Sequence, residues 1–188
     1  RYPAPPFTTS TLQQEAARKL RFPAKKTMQV AQHLYEAGYI TYMRTDAVNL
    51  SVEAISACRE AILKYFGEKY LPKSAKEYKT KSKNAQEAHE AIRPADVMNT
   101  PKKMEEKLDS DAYKLYELIW KRTIACQMEP AVLDKVVIDS LSGDGKILLR
   151  ANGQVIAFDG FLKLYQESRD DDNDDDENRL LPNVEVDE

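Results

Sequence analysis

The chain has 188 residues, 28 Lys+Arg against 31 Asp+Glu, a formal net charge of −3, 42% hydrophobic residues and 9% aromatics. That balance fits one or two small globular domains with a buried core and, with only 6 Gly and 9 Pro, excludes collagen-like and low-complexity chains. No apolar run approaches the roughly 18 residues that span a bilayer, and Cys58 and Cys126 make neither a disulfide framework nor a metal-ligand spacing, so a cytosolic, non-membrane protein with reduced thiols is expected.

Residues 1–7 carry Pro3, Pro5 and Pro6 and are expected to run extended, the chain starting mid-protein or on a linker since no Met initiates it. A capping box at Ser10/Gln13 or Thr11/Gln14, with Leu12, Ala16, Ala17 and Leu20 at helical spacing, predicts a helix over about 11–20. After an Arg21-Phe22-Pro23 corner, Met28, Ala31, Leu34 and Tyr35 predict a second helix closed by Gly38, with His33 in a structural role beside its stripe. Tyr39–Met43 is aromatic and β-branched and reads as a short strand, which gives the order of a winged helix-turn-helix. Ser51 caps a third helix with Ile55, Cys58, Ile62 and Phe66 on one face and Gly67 at its end. Five lysines (Lys73, Lys76, Lys79, Lys81, Lys83) predict an exposed basic loop over 73–84, and residues 86–93 a short helix or turn stopped by Pro94. A long amphipathic helix follows from Leu108 to Met128.

Beyond Pro130 four short β-forming runs, separated by Ser142-Gly143-Asp144-Gly145 and by Asn152-Gly153, predict a β-meander and a domain boundary near 130. The fold class is therefore α+β: a mainly helical, winged-helix-like domain over 1–129, then a β-rich partial domain over 130–188. The acids of Asp170–Glu177 lack the glycine spacing of a calcium loop and read as a solvated linker, with a further strand expected over Leu180–Val186. Residues 170–188 hold ten acids and one base, so the remaining 169 carry 27 bases and 21 acids, an excess of +6 that lies wholly within residues 1–100. A polyanion is the usual partner of such a face, though a merely solvated basic surface would give the same count.

Two histidines, no G-x-S-x-G elbow and no phosphate-cradling glycine loop leave triad hydrolase and nucleotide-binding readings without support. What stands out is Tyr42, Arg44 and Asp46 at i, i+2 and i+4, positions that share a face of an extended chain. A phenol has a pKa of about 10, so a nucleophilic tyrosine needs nearby positive charge, which Arg44 offers with a fork that binds phosphate bidentately while Asp46 orients it. From the residues alone, a packed aromatic is the favoured reading of Tyr42 and a functional tyrosine the lesser one.

The stretch from Leu34 to Asp46, Leu-Tyr-Glu-Ala-Gly-Tyr-Ile-Thr-Tyr-Met-Arg-Thr-Asp, with Asn49-Leu50-Ser51, closely resembles the active-site tyrosine motif of type IA DNA topoisomerases. Ala85-Gln86-Glu87-Ala88-His89-Glu90-Ala91-Ile92-Arg93-Pro94 is similar to the family's second hallmark, and Leu115–Trp120 and Phe158–Phe161 extend the likeness over nearly the whole chain. The resemblance implies that Tyr42 attacks a single-strand DNA phosphodiester, leaving a 5′-phosphotyrosine and a 3′-hydroxyl, and that religation needs no ATP. It implies that Arg44 stabilises charge on the scissile phosphate, that His89 helps position it, that Asp46 and Thr45 support Arg44, and that Arg93 is either a phosphate contact or a structural ion pair. Where the family commonly has Ser after Thr-Asp, this chain has Ala47.

The family's Mg²⁺ ligands sit in a Toprim domain whose acid spacing this chain lacks, so the metal is expected outside it. The resemblance implies an internal piece of a bacterial enzyme that relaxes negatively supercoiled DNA in the nucleoid, partnered by its own Toprim and remaining arch domains and inert by itself. The alternatives are a noncatalytic winged-helix module that binds single-stranded DNA, and an arch segment that only docks on other domains.

Overall fold

The computed structural model describes residues 1–79 and 90–166. His89, the first residues of its motif, Lys81, Lys83, the acidic run and the expected strand over 180–186 lie outside them. The architecture is mixed helix and strand: a helical body and one two-stranded antiparallel sheet.

Helix α1 (Thr9–Leu20) opens on Thr8, whose hydroxyl accepts the Thr11 N–H while the Thr11 hydroxyl accepts the Thr8 N–H. The reciprocal cap thus lies two or three residues before the expected one. Arg21 at φ 59 ends the helix in the left-handed region without a glycine, and Pro23 leads into α2 (Ala24–Glu36), which closes before Gly38 at φ +77. Ser51 caps α3 (Val52–Phe66) as expected, its hydroxyl accepting the Ala54 N–H. A 3-10 turn at Glu68–Tyr70, the one-turn α4 (Pro101–Met104) and α5 (Ser110–Cys126), capped by Asp109, complete the body.

α5 carries the core. Leu115, Tyr116, Ile119, Ile124 and Met128 are sealed against Phe7, Leu12, Leu34 and Ile62, and nearly every position of its second half is buried. Burying such side chains contributes roughly 1.5–3 kcal/mol each. Arg122, also buried, donates to the Pro5 carbonyl at 2.6 Å and lies over the rings of Phe7 and Tyr165, while Tyr165 donates to the Glu15 carboxylate at 2.6 Å. Phe161 and Tyr165 belong to the same core, so the body takes in side chains from beyond residue 130.

Three expectations fail. Tyr39–Met43 forms no strand: only Ile40 pairs, in an isolated antiparallel bridge with Pro94, so the winged-helix order lacks its strand. Residues 90–93 are extended rather than helical, because Ile92 pairs with Phe7 and the segment is drawn into the body. The meander is two long strands, β1 (Val132–Leu141) and β2 (Leu148–Phe158), and Asn152-Gly153 sits within β2 opposite Val137 and Val136. The turn is the other signal, Ser142–Gly145, where the Ser142 N–H donates to the Ile147 carbonyl at 2.8 Å. Lys76 also departs from the exposed loop: it is half-buried, donates to the Met128 carbonyl, and burial lowers its pKa despite Glu129 nearby.

Candidate functional site

The segment between α2 and α3 has no regular structure, yet its backbone is tied down on both sides of Tyr42. On one side Thr41 pairs with residues 91–93: its N–H donates to the Arg93 carbonyl at 2.9 Å, and its hydroxyl donates to the Ala91 carbonyl at 2.8 Å while accepting the Arg93 N–H at 2.9 Å. The Ala95 N–H reaches the Tyr39 carbonyl and the Ala91 N–H the Asn49 carbonyl. On the other side Thr9, the first residue of α1, binds the backbone of Met43 and Thr45.

Side chains alternate along this segment. Tyr42, Arg44 and Asp46 are exposed, while Ile40, Met43 and Ala47 are buried, so the three polar groups share the solvent side although no strand forms. Burial of Met43 and Ala47 fixes the phase, since a slip by one residue would turn the polar side chains into the core. Tyr42 is 44% exposed, and its ring meets Tyr35 edge-to-face, centroids 5.2 Å apart. Ala47 donates its N–H to the Thr45 hydroxyl at 3.0 Å, so the position where a serine was expected is closed to solvent.

Arg44 and Asp46 form no salt bridge with each other or with any other side chain among the described residues. Both are open to water, where an exposed pair gains little. Arg93 is ion-paired: Nη2 meets Glu90 Oε2 at 2.8 Å and Nη1 donates to the Pro94 carbonyl at 2.9 Å. Glu90 also accepts the Ser51 N–H, which joins the motif to the start of α3. Partial burial pushes the Glu90 carboxyl upward, but the bonds from Arg93 and Ser51 outweigh it and hold the group below its usual range. Burial pushes the Cys58 thiol up to about 12, Arg93 opposing, which favours the protonated thiol.

Sequence reasoning picked out the exposed polar triplet and missed the residues that hold it: Thr9, Thr41 and Glu90. Thr9 and Thr41 bond partners 34 to 52 positions away, which no local spacing encodes. Among the described residues no group of three His, Cys, Asp or Glu side chains is placed to hold a metal ion, and no helix is long and apolar enough to cross a membrane.

The DNA topoisomerase family model matches residues 1–188. A curated relative named DNA topoisomerase 1 from Rickettsia conorii is 60% identical over 188 residues, covering 96% of this chain and 24% of that protein. One of the same name from Mycolicibacterium smegmatis is 52% identical, covering 98% of this chain and 20% of that protein. The solved full-length topoisomerase I from Thermotoga maritima superposes with a TM-score of 0.75 at 38% identity, covering 98% of this chain and 29% of that one. The chain therefore spans about a quarter of the length of the relatives it matches.

Proposed function

The chain belongs to the DNA topoisomerase family, and from that premise we propose that Tyr42 is the nucleophile of a single-strand DNA cleavage and rejoining reaction. The Tyr42 oxygen gives up its proton and bonds the phosphorus, the bond from phosphorus to the 3′-oxygen breaks, and that oxygen leaves as a hydroxyl carrying a proton. The ester keeps the bond energy, so attack by the 3′-hydroxyl on the phosphotyrosine reverses the step without ATP. Passing a strand through the gap in between relaxes negatively supercoiled DNA.

The observation that carries this reading is an exposed tyrosine on a backbone pinned from both sides, with Arg44 presented to the same solvent. Pre-positioning lowers the entropic cost of attack, and a guanidinium aimed at the phosphate stabilises the charge that grows on its oxygens. Arg93, engaged with Glu90, holds the 90–95 segment to which Thr41 is bonded, and the Thr45 N–H, accepted by the Thr9 hydroxyl, fixes the backbone beside Arg44. His89 is assigned to the phosphate from the motif it belongs to, and Asp46, open to solvent, supports Arg44 when DNA is bound. The α1–α2 pair with the Ile40–Pro94 bridge serves as a reduced winged-helix unit. Residues 130–188 then form one part of a second, arch-like domain whose other segments, with the Toprim domain, lie in the rest of a cytoplasmic enzyme acting on nucleoid DNA.

The family resemblance brings Mg²⁺ with it, but the described residues do not fit a divalent site, so its ligands are assigned to the Toprim domain and no step is derived through it here. In the full-length enzyme, Tyr42→Phe should abolish relaxation and covalent adduct while single-stranded DNA binding persists, and the 188-residue chain alone should give no adduct. Relaxation by the Tyr42→Phe enzyme would defeat the nucleophile and leave a noncatalytic binding module.

A further inference from the structure

Thr9 opens α1, but capping is done by its neighbour: Thr8 and Thr11 bond each other reciprocally and leave the Thr9 hydroxyl free of that duty. The hydroxyl is spent 34 to 36 residues away. It donates to the Met43 carbonyl at 2.8 Å, with the Thr45 carbonyl at 3.2 Å, and it accepts the Thr45 N–H at 2.9 Å. The Thr9 N–H donates to the Thr45 carbonyl, also at 2.9 Å. Both neighbours of Arg44 are thus bonded to one residue, while the Arg44 side chain has no hydrogen bond or ion pair among the described residues.

We propose that Thr9 is a positioning residue for Arg44: it fixes the backbone from which the guanidinium reaches a DNA phosphate. This rests on the reading of Tyr42 and Arg44 given above. α1 is a firm base, since Leu12 and Ala16 are fully buried and Glu15, buried beside them, accepts from Tyr165. A 12-residue helix anchored that way does not shift to follow the loop, so the loop must follow the helix. Without the hydroxyl, the Met43 carbonyl and the Thr45 N–H lose their partner, the Thr9 N–H bond to the Thr45 carbonyl is the tie left between the two residues, and Arg44 starts from a backbone that can shift by about an ångström. Misplacement on that scale costs up to ~100-fold in rate.

The test uses the full-length enzyme with Thr9→Val, nearly the same shape without the hydroxyl, and Thr9→Ser, which keeps the hydroxyl and drops the methyl. Thr9→Val should lower the rate of single-strand cleavage about 10- to 100-fold with the KM for DNA unchanged. Thr9→Ser should restore most of it, and Thr9→Val should add little to Arg44→Ala in a double-mutant cycle. If Thr9→Val does not fold, Thr9→Ala carries the same expectations. Full-rate cleavage by the valine or alanine variant, failure of serine to rescue, or additivity with Arg44→Ala would overturn the proposal. A Tyr42→Phe enzyme in the same series separates the two readings. If it still cleaves, the nucleophile assignment fails; if it is dead while Thr9→Val is unimpaired, only the role of Thr9 fails.

Discussion

The tyrosine segment and the β1–β2 hairpin reverse the usual relation between regular structure and fixed position. Residues 39–51 contain no helix and no ladder, yet side-chain hydroxyls from Thr9 and Thr41 and the Glu90 carboxylate hold their backbone to two different parts of the body, α1 and residues 90–95. Residues 132–158 form an antiparallel ladder of ten paired positions, unbroken but for a register shift at Val132/Leu133, yet Val137, Ile138, Leu141, Leu148 and Leu149 stand in solvent. Ladder bonds fix strands to each other, and only bonds and packing to the body fix them in space. Catalytic geometry requires the second kind.

The root of the hairpin is where the contrast can be broken most forcefully. Gly160 sits at φ +49, and a Cβ there would meet the Pro130 carbonyl oxygen at 2.5 Å, a backbone atom with no flexible end to yield. Gly160→Ala should lower stability by about 2–3 kcal/mol, seen as a lower unfolding midpoint in urea. If the midpoint holds, the return from β2 into the core at Phe161 is not a fixed joint.

A smaller effect probes the tyrosine segment through Glu90. Its carboxyl is held below its ordinary value in the folded state, so its contribution is complete above the unfolded-state pKa and is lost as pH falls through the folded one. Glu90→Gln should cost about 1 kcal/mol at neutral pH, discounted for partial exposure, and the two proteins should converge under acid conditions. A constant difference down to low pH would mean that shape, not charge, joins residues 90–95 to α3. Smallest of all, Arg150 pairs with Asp139 at 2.7 Å on the exposed hairpin, and Arg150→Ala should leave the unfolding midpoint unmoved. A clear loss there would show that the hairpin is coupled to the body after all.

Legibility in the sequence follows the same division. α1, α2, α3 and α5 were readable because helical spacing of apolar residues is local, and for α3 the ends were readable too: Ser51 and Gly67 stand where they were expected. Tyr39–Met43 carries strand-forming residues, but Ile40 is buried and Tyr42, two positions on, is exposed, because bonds to distant residues rather than a ladder set how the segment lies. Asn152-Gly153 looks like a hairpin turn and lies within β2, because Val136 and Val137 pair opposite it. Residues 90–93 suit a short helix by composition, and Phe7, 85 positions earlier, draws Ile92 into a bridge instead. At the site, the chemistry-bearing triplet was visible as a spacing, while the threonines that hold it were visible only once the chain was folded.

The edge-to-face contact between Tyr42 and Tyr35 gives the site two different stiffnesses. The backbone on either side moves only by breaking several hydrogen bonds, whereas the ring can leave its resting place for about 1 kcal/mol, the worth of one aromatic pair. A reaction that must run in both directions through one oxygen gains from that arrangement. In the reaction proposed for Tyr42, the phenol would swing toward an incoming phosphate on the timescale of a side-chain rotation and back to the same rest position after release.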